Sequence, residues 1–94
     1  MHNNKKLNIA RRKIDKIDNN IFKLIKQRTL IVENMLRFKK RKNEIIDKRR
    51  MQKIFAHIRK KSLKEKVDPN ITSRIWKAMI WSYVKFQQRN FNKK

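Results

Sequence analysis

The feature that most constrains this chain is a run of apolar residues that recurs every three or four positions from Leu7 to Phe38. Such spacing places side chains along one stripe of an α-helix, in the pattern of a heptad seam. The members of this seam are Leu7, Ala10, Ile14, Ile17, Ile21, Leu24, Ile31, Met35 and Phe38. Because no Gly or Pro interrupts residues 5 to 42, the pattern predicts a first helix of about 35 residues, roughly 50 Å long.

The length of this helix predicts a partner chain. The 94 residues suffice for one domain, and a compact globule of that size is only about 30 to 35 Å across. One protomer cannot cover a seam of roughly 50 Å. We therefore expect residues 1–94 to form a single helical domain that assembles as a homodimer through its long helix.

Two further helices are expected after the first. Residues 40 to 44 are polar and predict a short loop, and Asp47 is suited to cap a second, shorter helix. The pair Asp68-Pro69 places a capping residue before a proline suited to a first helical turn. A third helix should follow it to about Phe91. With no strand signal, the predicted fold is all-α, with a three-helix protomer of long, short and medium helices.

The charge of the chain raises the question of a nucleic-acid partner. The net charge is +22, and lysine and arginine gain affinity for nucleic acids by releasing counterions from phosphates. However, Lys, Asn and Ile make up 42 of the 94 residues, a bias that A/T-rich coding DNA produces, and the cations are spread over every helical face. We therefore expect nucleic acid to bind only nonspecifically, if at all.

Composition also bears on redox chemistry, metals and membranes. The absence of Cys excludes disulfides and thiolate chemistry, and two His with seven scattered acids predict no metal site. No apolar run approaches the length of a membrane span, which favours a soluble, cytoplasmic protein.

Three polar residues are candidate ligand contacts, and two of them, Arg28 and Gln87, interrupt apolar stripes. Arg28 fills the only gap in the seam. A guanidinium at this position would bind an anion, pair with a carboxylate of a partner helix or extend to solvent. Lys39 lies eleven residues further on and should share the Arg28 face at about 16 Å along the helix. Gln87 continues the stripe of Ile80 and Tyr83, either as a helix end emerging into solvent or as a polar contact for a ligand.

The order and spacing of these residues resembles the helical, type II chorismate mutases. The resemblance is carried by the segment RRKIDKID at residues 11–18, Arg28, Lys39, Asp47-x-x-Arg50 and Gln87. It implies an intertwined dimer with two equivalent sites, each built mostly from one chain plus an arginine of the other, here Arg11. Helix geometry agrees, because Arg11 and Arg28 are about 25 Å apart on one straight helix, too far to grip one small molecule.

The resemblance implies a rearrangement of chorismate to prephenate without cofactor, metal or nucleophile, a step in the synthesis of phenylalanine and tyrosine. An ether C–O bond breaks while a C–C bond forms. Arg11 from the partner, Arg28 and Arg50 would bind the two carboxylates of the dianionic substrate. Lys39 and Gln87 would donate to the ether oxygen.

Two positions depart from the mutase pattern. Met51 stands where these mutases commonly have a glutamate that holds the ring hydroxyl, and Tyr83 stands where many have serine. Both are similar to a related branch, the isochorismate-pyruvate lyases that make salicylate, whereas Asp47 is mutase-like. We favour the mutase and keep three alternatives open: the lyase, a basic nucleic-acid-binding helical dimer, and a catalytically inactive regulatory module.

Overall fold

The computed structural model describes residues 2–93, and all of its regular elements are helical. The elements in chain order are α1 (His2–Leu36), a short 3₁₀ helix (Lys42–Glu44), α2 (Lys48–Lys64), α3 (Pro69–Asn90) and a final 3₁₀ turn (Phe91–Lys93). The part of the chain described contains no strand. The predicted all-α class and the order of long, short and medium helices are confirmed.

The first helix has the expected length of 35 residues but different ends. It stops at Leu36, and Lys39 lies beyond it in the following loop, so the prediction that Lys39 shares a helical face with Arg28 is wrong. The backbone tightens into a turn, with the Lys39 N–H donating to the Leu36 carbonyl over 3.2 Å. Five of the six residues 37–42 are cationic, and like charges three and four positions apart disfavour a helix there.

Side-chain caps define where α2 and α3 begin, as predicted. Asp47 accepts a hydrogen bond from the Arg50 N–H at 2.9 Å, and Asp68 accepts one from the Asn70 N–H at 2.9 Å. Pro69 follows Asp68 in the first turn of α3, where its missing N–H is not needed. These caps satisfy donors that helix geometry leaves unpaired.

The turn between α2 and α3 contains a lysine in the left-handed backbone region. Lys66 has a φ of 59°, and the Val67 N–H reaches back to the Ser62 carbonyl at 2.9 Å. This is a Schellman ending, in which glycine is the usual left-handed residue. The chain has no glycine, so a lysine adopts this conformation and α2 can turn back against α3.

Contacts divide the described residues into two units, one ending at Ile31 and one beginning at Val32. The second unit has a small apolar core, which we call the core cluster: Leu36, Ile45, Met51, Ile80 and Val84. Ser62 and Thr72 share a hydrogen bond of 2.7 Å that joins α2 to α3. The core cluster thus gathers the end of α1, the loop and both later helices.

The first unit is helical and its apolar seam is exposed. Ile17 is 57% exposed and Leu24 is 62% exposed. None of the described helices combines the length and apolarity needed to cross a bilayer.

Candidate active site

A lysine and a glutamine far apart in sequence are joined by a hydrogen bond. The Lys39 Nζ donates a hydrogen bond of 2.7 Å to Oε1 of Gln87, across 48 positions of sequence. Lys39 comes from the loop after α1 and Gln87 from the last turns of α3. A lysine ammonium has three donors, so this bond leaves donor capacity for an oxygen of a ligand.

Gln87 is a buried residue. Its side chain is only 7% exposed, so it does not lie at a helix end emerging into solvent. Its Nε2 donates to the Tyr83 carbonyl one turn earlier at 3.2 Å, and among the described residues no buried side-chain N or O lacks a partner. Because Oε1 accepts from Lys39, the amide is held in one orientation. This orientation leaves the second N–H of Nε2 as a further donor.

Burial alters the ionisation of Lys39. Desolvation lowers the pKa of its ammonium below the ordinary value of 10.5, and the carboxylates of Glu44 and Asp47 partly oppose this effect. Sequence reasoning missed Glu44. The available signal was an acid inside a loop that is otherwise strongly basic.

The first turn of α2 places three predicted site residues in different surroundings. Asp47 is exposed and caps the helix through the Arg50 N–H, while Arg50 itself is exposed. Met51 points the other way and is 9% exposed within the core cluster. Tyr83 is half-buried on α3 and packs edge-on against Phe86, with ring centroids 6.5 Å apart.

The remaining two predicted site residues belong to the first unit, on α1. Arg11 is exposed and Arg28 is half-buried. Since both lie on one continuous helix, the seventeen positions between them correspond to about 25 Å along the axis. The two guanidiniums of a single chain are therefore too far apart to hold one small ligand.

A known protein family matches most of this chain. Residues 10–88 match the chorismate mutase type II family. The chain belongs to this family. The matched range includes every candidate residue from Arg11 to Gln87, and the family supports an isomerase activity of the chorismate mutase type. Searches of curated proteins and of solved structures gave no significant match.

The ionisation of Lys39 yields a first prediction. Because its pKa is lowered on folding, the folded chain binds fewer protons here than the unfolded chain between the lowered pKa and 10.5. The contribution of Lys39 to the free energy of unfolding therefore increases with pH across that interval. Titration followed by NMR of the lysine side chains should place the Lys39 midpoint below 10.5.

Two variants test the cause of this shift. Glu44→Gln removes an attraction that favours the charged ammonium, so the Lys39 midpoint should fall further. Glu65→Gln, at the end of α2, is the matched control and should leave it unchanged. A Lys39 midpoint at or above 10.5 in the unaltered protein would contradict the proposed effect of burial.

Proposed function

We propose that this chain is a homodimeric chorismate mutase that converts chorismate to prephenate. The observation that carries the proposal is the Lys39–Gln87 pair, held at 2.7 Å in a chain of the chorismate mutase type II family. The reaction breaks an ether C–O bond while a C–C bond forms in the same molecule. Negative charge grows on the ether oxygen, which is the atom that donors must stabilise.

Lys39 and Gln87 suit the role of donors to this oxygen. The ammonium has donors beyond the one given to Gln87, and the Gln87 Nε2 has a second N–H beyond the one given to Tyr83. Both groups are held by existing hydrogen bonds, so little reorganisation is needed as charge develops. Donors fixed in advance in partly buried surroundings are the main source of this kind of catalysis.

The two carboxylates of chorismate need cationic partners, and we assign them to arginines. Arg28 and Arg50 of one chain would bind one substrate molecule together with Arg11 of the partner chain. Arginine forms paired, charge-assisted hydrogen bonds with carboxylates. The dianion would also favour the protonated form of Lys39, opposing the effect of burial that lowers its pKa.

The exposed surface of the chain supports assembly as a dimer. In the seam of α1, Ile14, Ile17 and Leu24 are each more than half exposed. A large exposed apolar surface of this kind marks a site of protein association.

A direct assay tests the proposed function. When the purified chain is incubated with chorismate, the absorbance of chorismate should decrease and prephenate should form. Prephenate is detected after its conversion to phenylpyruvate by acid. A parallel reaction with isochorismate should give little salicylate fluorescence. Salicylate without loss of chorismate would assign the lyase reaction instead, and no turnover of either substrate would contradict the enzyme proposal.

The isochorismate-pyruvate lyase remains the second candidate because of Met51 and Tyr83, and Met51 offers the sharper test. Met51 has no carboxylate to accept a hydrogen bond from the ring hydroxyl of chorismate, and it is 9% exposed within an apolar cluster. A carboxylate at this position would be costly to bury. Glutamine is the better probe, because it adds an acceptor without a charge.

Replacing Met51 by glutamine is expected to raise the kcat/KM for chorismate relative to that for isochorismate. One added hydrogen bond contributes about 0.5–1.5 kcal/mol, or roughly two- to tenfold. Met51→Leu conserves size without adding an acceptor and should leave the ratio unchanged. If Met51→Gln lowers the melting temperature and leaves the ratio as it was, residue 51 serves only the core and does not select the substrate.

A further inference from the structure

A groove between α2 and α3 lies outside the site described above. It has a volume of about 420 Å³ and is lined by Phe55 and Ile58 of α2 and by Ser73, Arg74 and Lys77 of α3. This volume falls within the range of small-molecule sites. Lys77 and Gln87 are ten residues apart on α3, about 15 Å along the axis, so the groove is separate from the Lys39–Gln87 pair.

The lining combines an apolar wall with cationic side chains. Phe55 and Ile58 are half-buried, and Arg74 and Lys77 are exposed one turn apart on α3. No acidic residue occurs in Lys48–Lys64 or in Pro69–Asn90, so neither helix offers these two cations a carboxylate partner. The charge of the groove therefore favours an anion, and its wall favours an apolar body.

Two of the residues that line the groove, Ser73 and Lys77, face away from the apolar strip of α3. Ile71 and Ile75 are more than half exposed, and they are candidates for burial in the proposed dimer. Ser73 and Lys77 are each two positions from Ile75, which turns them about 160° around the helix from it. A dimer that buries the Ile75 side of α3 would therefore leave Ser73 and Lys77 accessible.

We infer that this groove binds a small anion with a flat apolar body, of the aromatic carboxylate class. The ring would lie against Phe55 and Ile58, and the carboxylate would be bound by Arg74 and Lys77, with the Ser73 hydroxyl as a further donor. Charge-assisted hydrogen bonds of this kind are stronger than neutral ones. Such binding does not depend on the reaction proposed for Lys39 and Gln87.

The test is an NMR titration of the full chain with 2-naphthoate, followed through the backbone amides. Saturable shifts should centre on Phe55, Ile58, Ser73, Arg74 and Lys77. The neutral analogue 2-naphthamide should bind more weakly. The Arg74→Gln/Lys77→Gln double variant should lose affinity by about tenfold or more.

The control variant is Lys85→Gln/Arg89→Gln, which removes the same charge from α3 outside the groove and should retain the affinity. Binding should also persist in Lys39→Ala, which separates the groove from the proposed active site. Shifts that do not saturate, that centre on Lys39 and Gln87, or that are equal in the two double variants would overturn the inference. Circular dichroism of each variant verifies that the helices remain folded.

Discussion

Replacing Lys39 by alanine is expected to lower the kcat/KM for chorismate by about 10²- to 10³-fold, the usual effect of removing one donor to a developing oxyanion. The loss should fall mainly on kcat, because charge on the ether oxygen is greatest in the transition state. Initial rates from the loss of chorismate absorbance measure both parameters.

The environment of Lys39 is the reason for so large an effect. Its ammonium is half-buried and bonded to a glutamine that is itself 7% exposed. Electrostatic interactions are stronger where water is partly excluded, so another surface cation should not replace it. The variant also leaves the Gln87 Oε1 without its lysine partner, at a cost of about 1–3 kcal/mol in stability.

The adjacent residue provides the control. Lys40 is exposed, and Lys40→Ala removes the same charge from the same loop without touching Gln87. It should stay within about threefold of the unaltered kcat/KM, since surface charges act weakly through solvent. Turnover by Lys39→Ala equal to that of Lys40→Ala, with helical circular dichroism intact, would exclude Lys39 from the reaction.

Two inactive variants, Arg11→Ala and Arg28→Ala, are expected to restore activity when refolded together. Each alone should be nearly inactive, because each homodimer lacks a carboxylate-binding arginine in both sites. In a mixed dimer, one site receives an intact Arg28 from the first variant and an intact Arg11 from the second. Random assembly gives half mixed dimers with one complete site each, so the mixture should reach about a quarter of the unaltered activity.

The distance along α1 underlies this prediction. Arg11 and Arg28 of one chain are about 25 Å apart on a continuous helix, and a small dianion cannot span that distance. Shared sites therefore require a second chain, as the exposed seam independently suggests. Recovery of activity also tests directly whether the chain forms a dimer, because monomers cannot complement each other.

A second mixture serves as the control. Arg28 and Lys39 are proposed to act from the same chain, so Arg28→Ala mixed with Lys39→Ala leaves one residue missing from every site. No recovery is expected there. Recovery in this control, or none in the mixture of Arg11→Ala with Arg28→Ala, would show that the sites are not shared between chains in the proposed way.

Local sequence signals were sufficient for the helices and for the starting points of α2 and α3. Asp47 and Asp68 cap their helices by accepting hydrogen bonds from amides two or three positions away, and the ring of Pro69 fixes its own backbone angle. The start of each of these helices can therefore be predicted from residues within one helical turn. The seam from Leu7 to Leu24 is likewise a local periodicity, and the exposure of its larger side chains agrees with the prediction that one chain does not cover it.

Tertiary contacts decided what the sequence could not. The side chain of Leu36, the last residue of α1, is buried in the core cluster, which no local pattern predicts. The pairing of Lys39 with Gln87 joins positions 48 residues apart, and the lowered pKa of Lys39 follows from burial that no local pattern encodes. The sequence alone determined the helices and the residue types available for chemistry, because those depend on interactions within a turn. Only the folded chain determined which polar groups are buried and meet, because burial depends on segments distant in sequence.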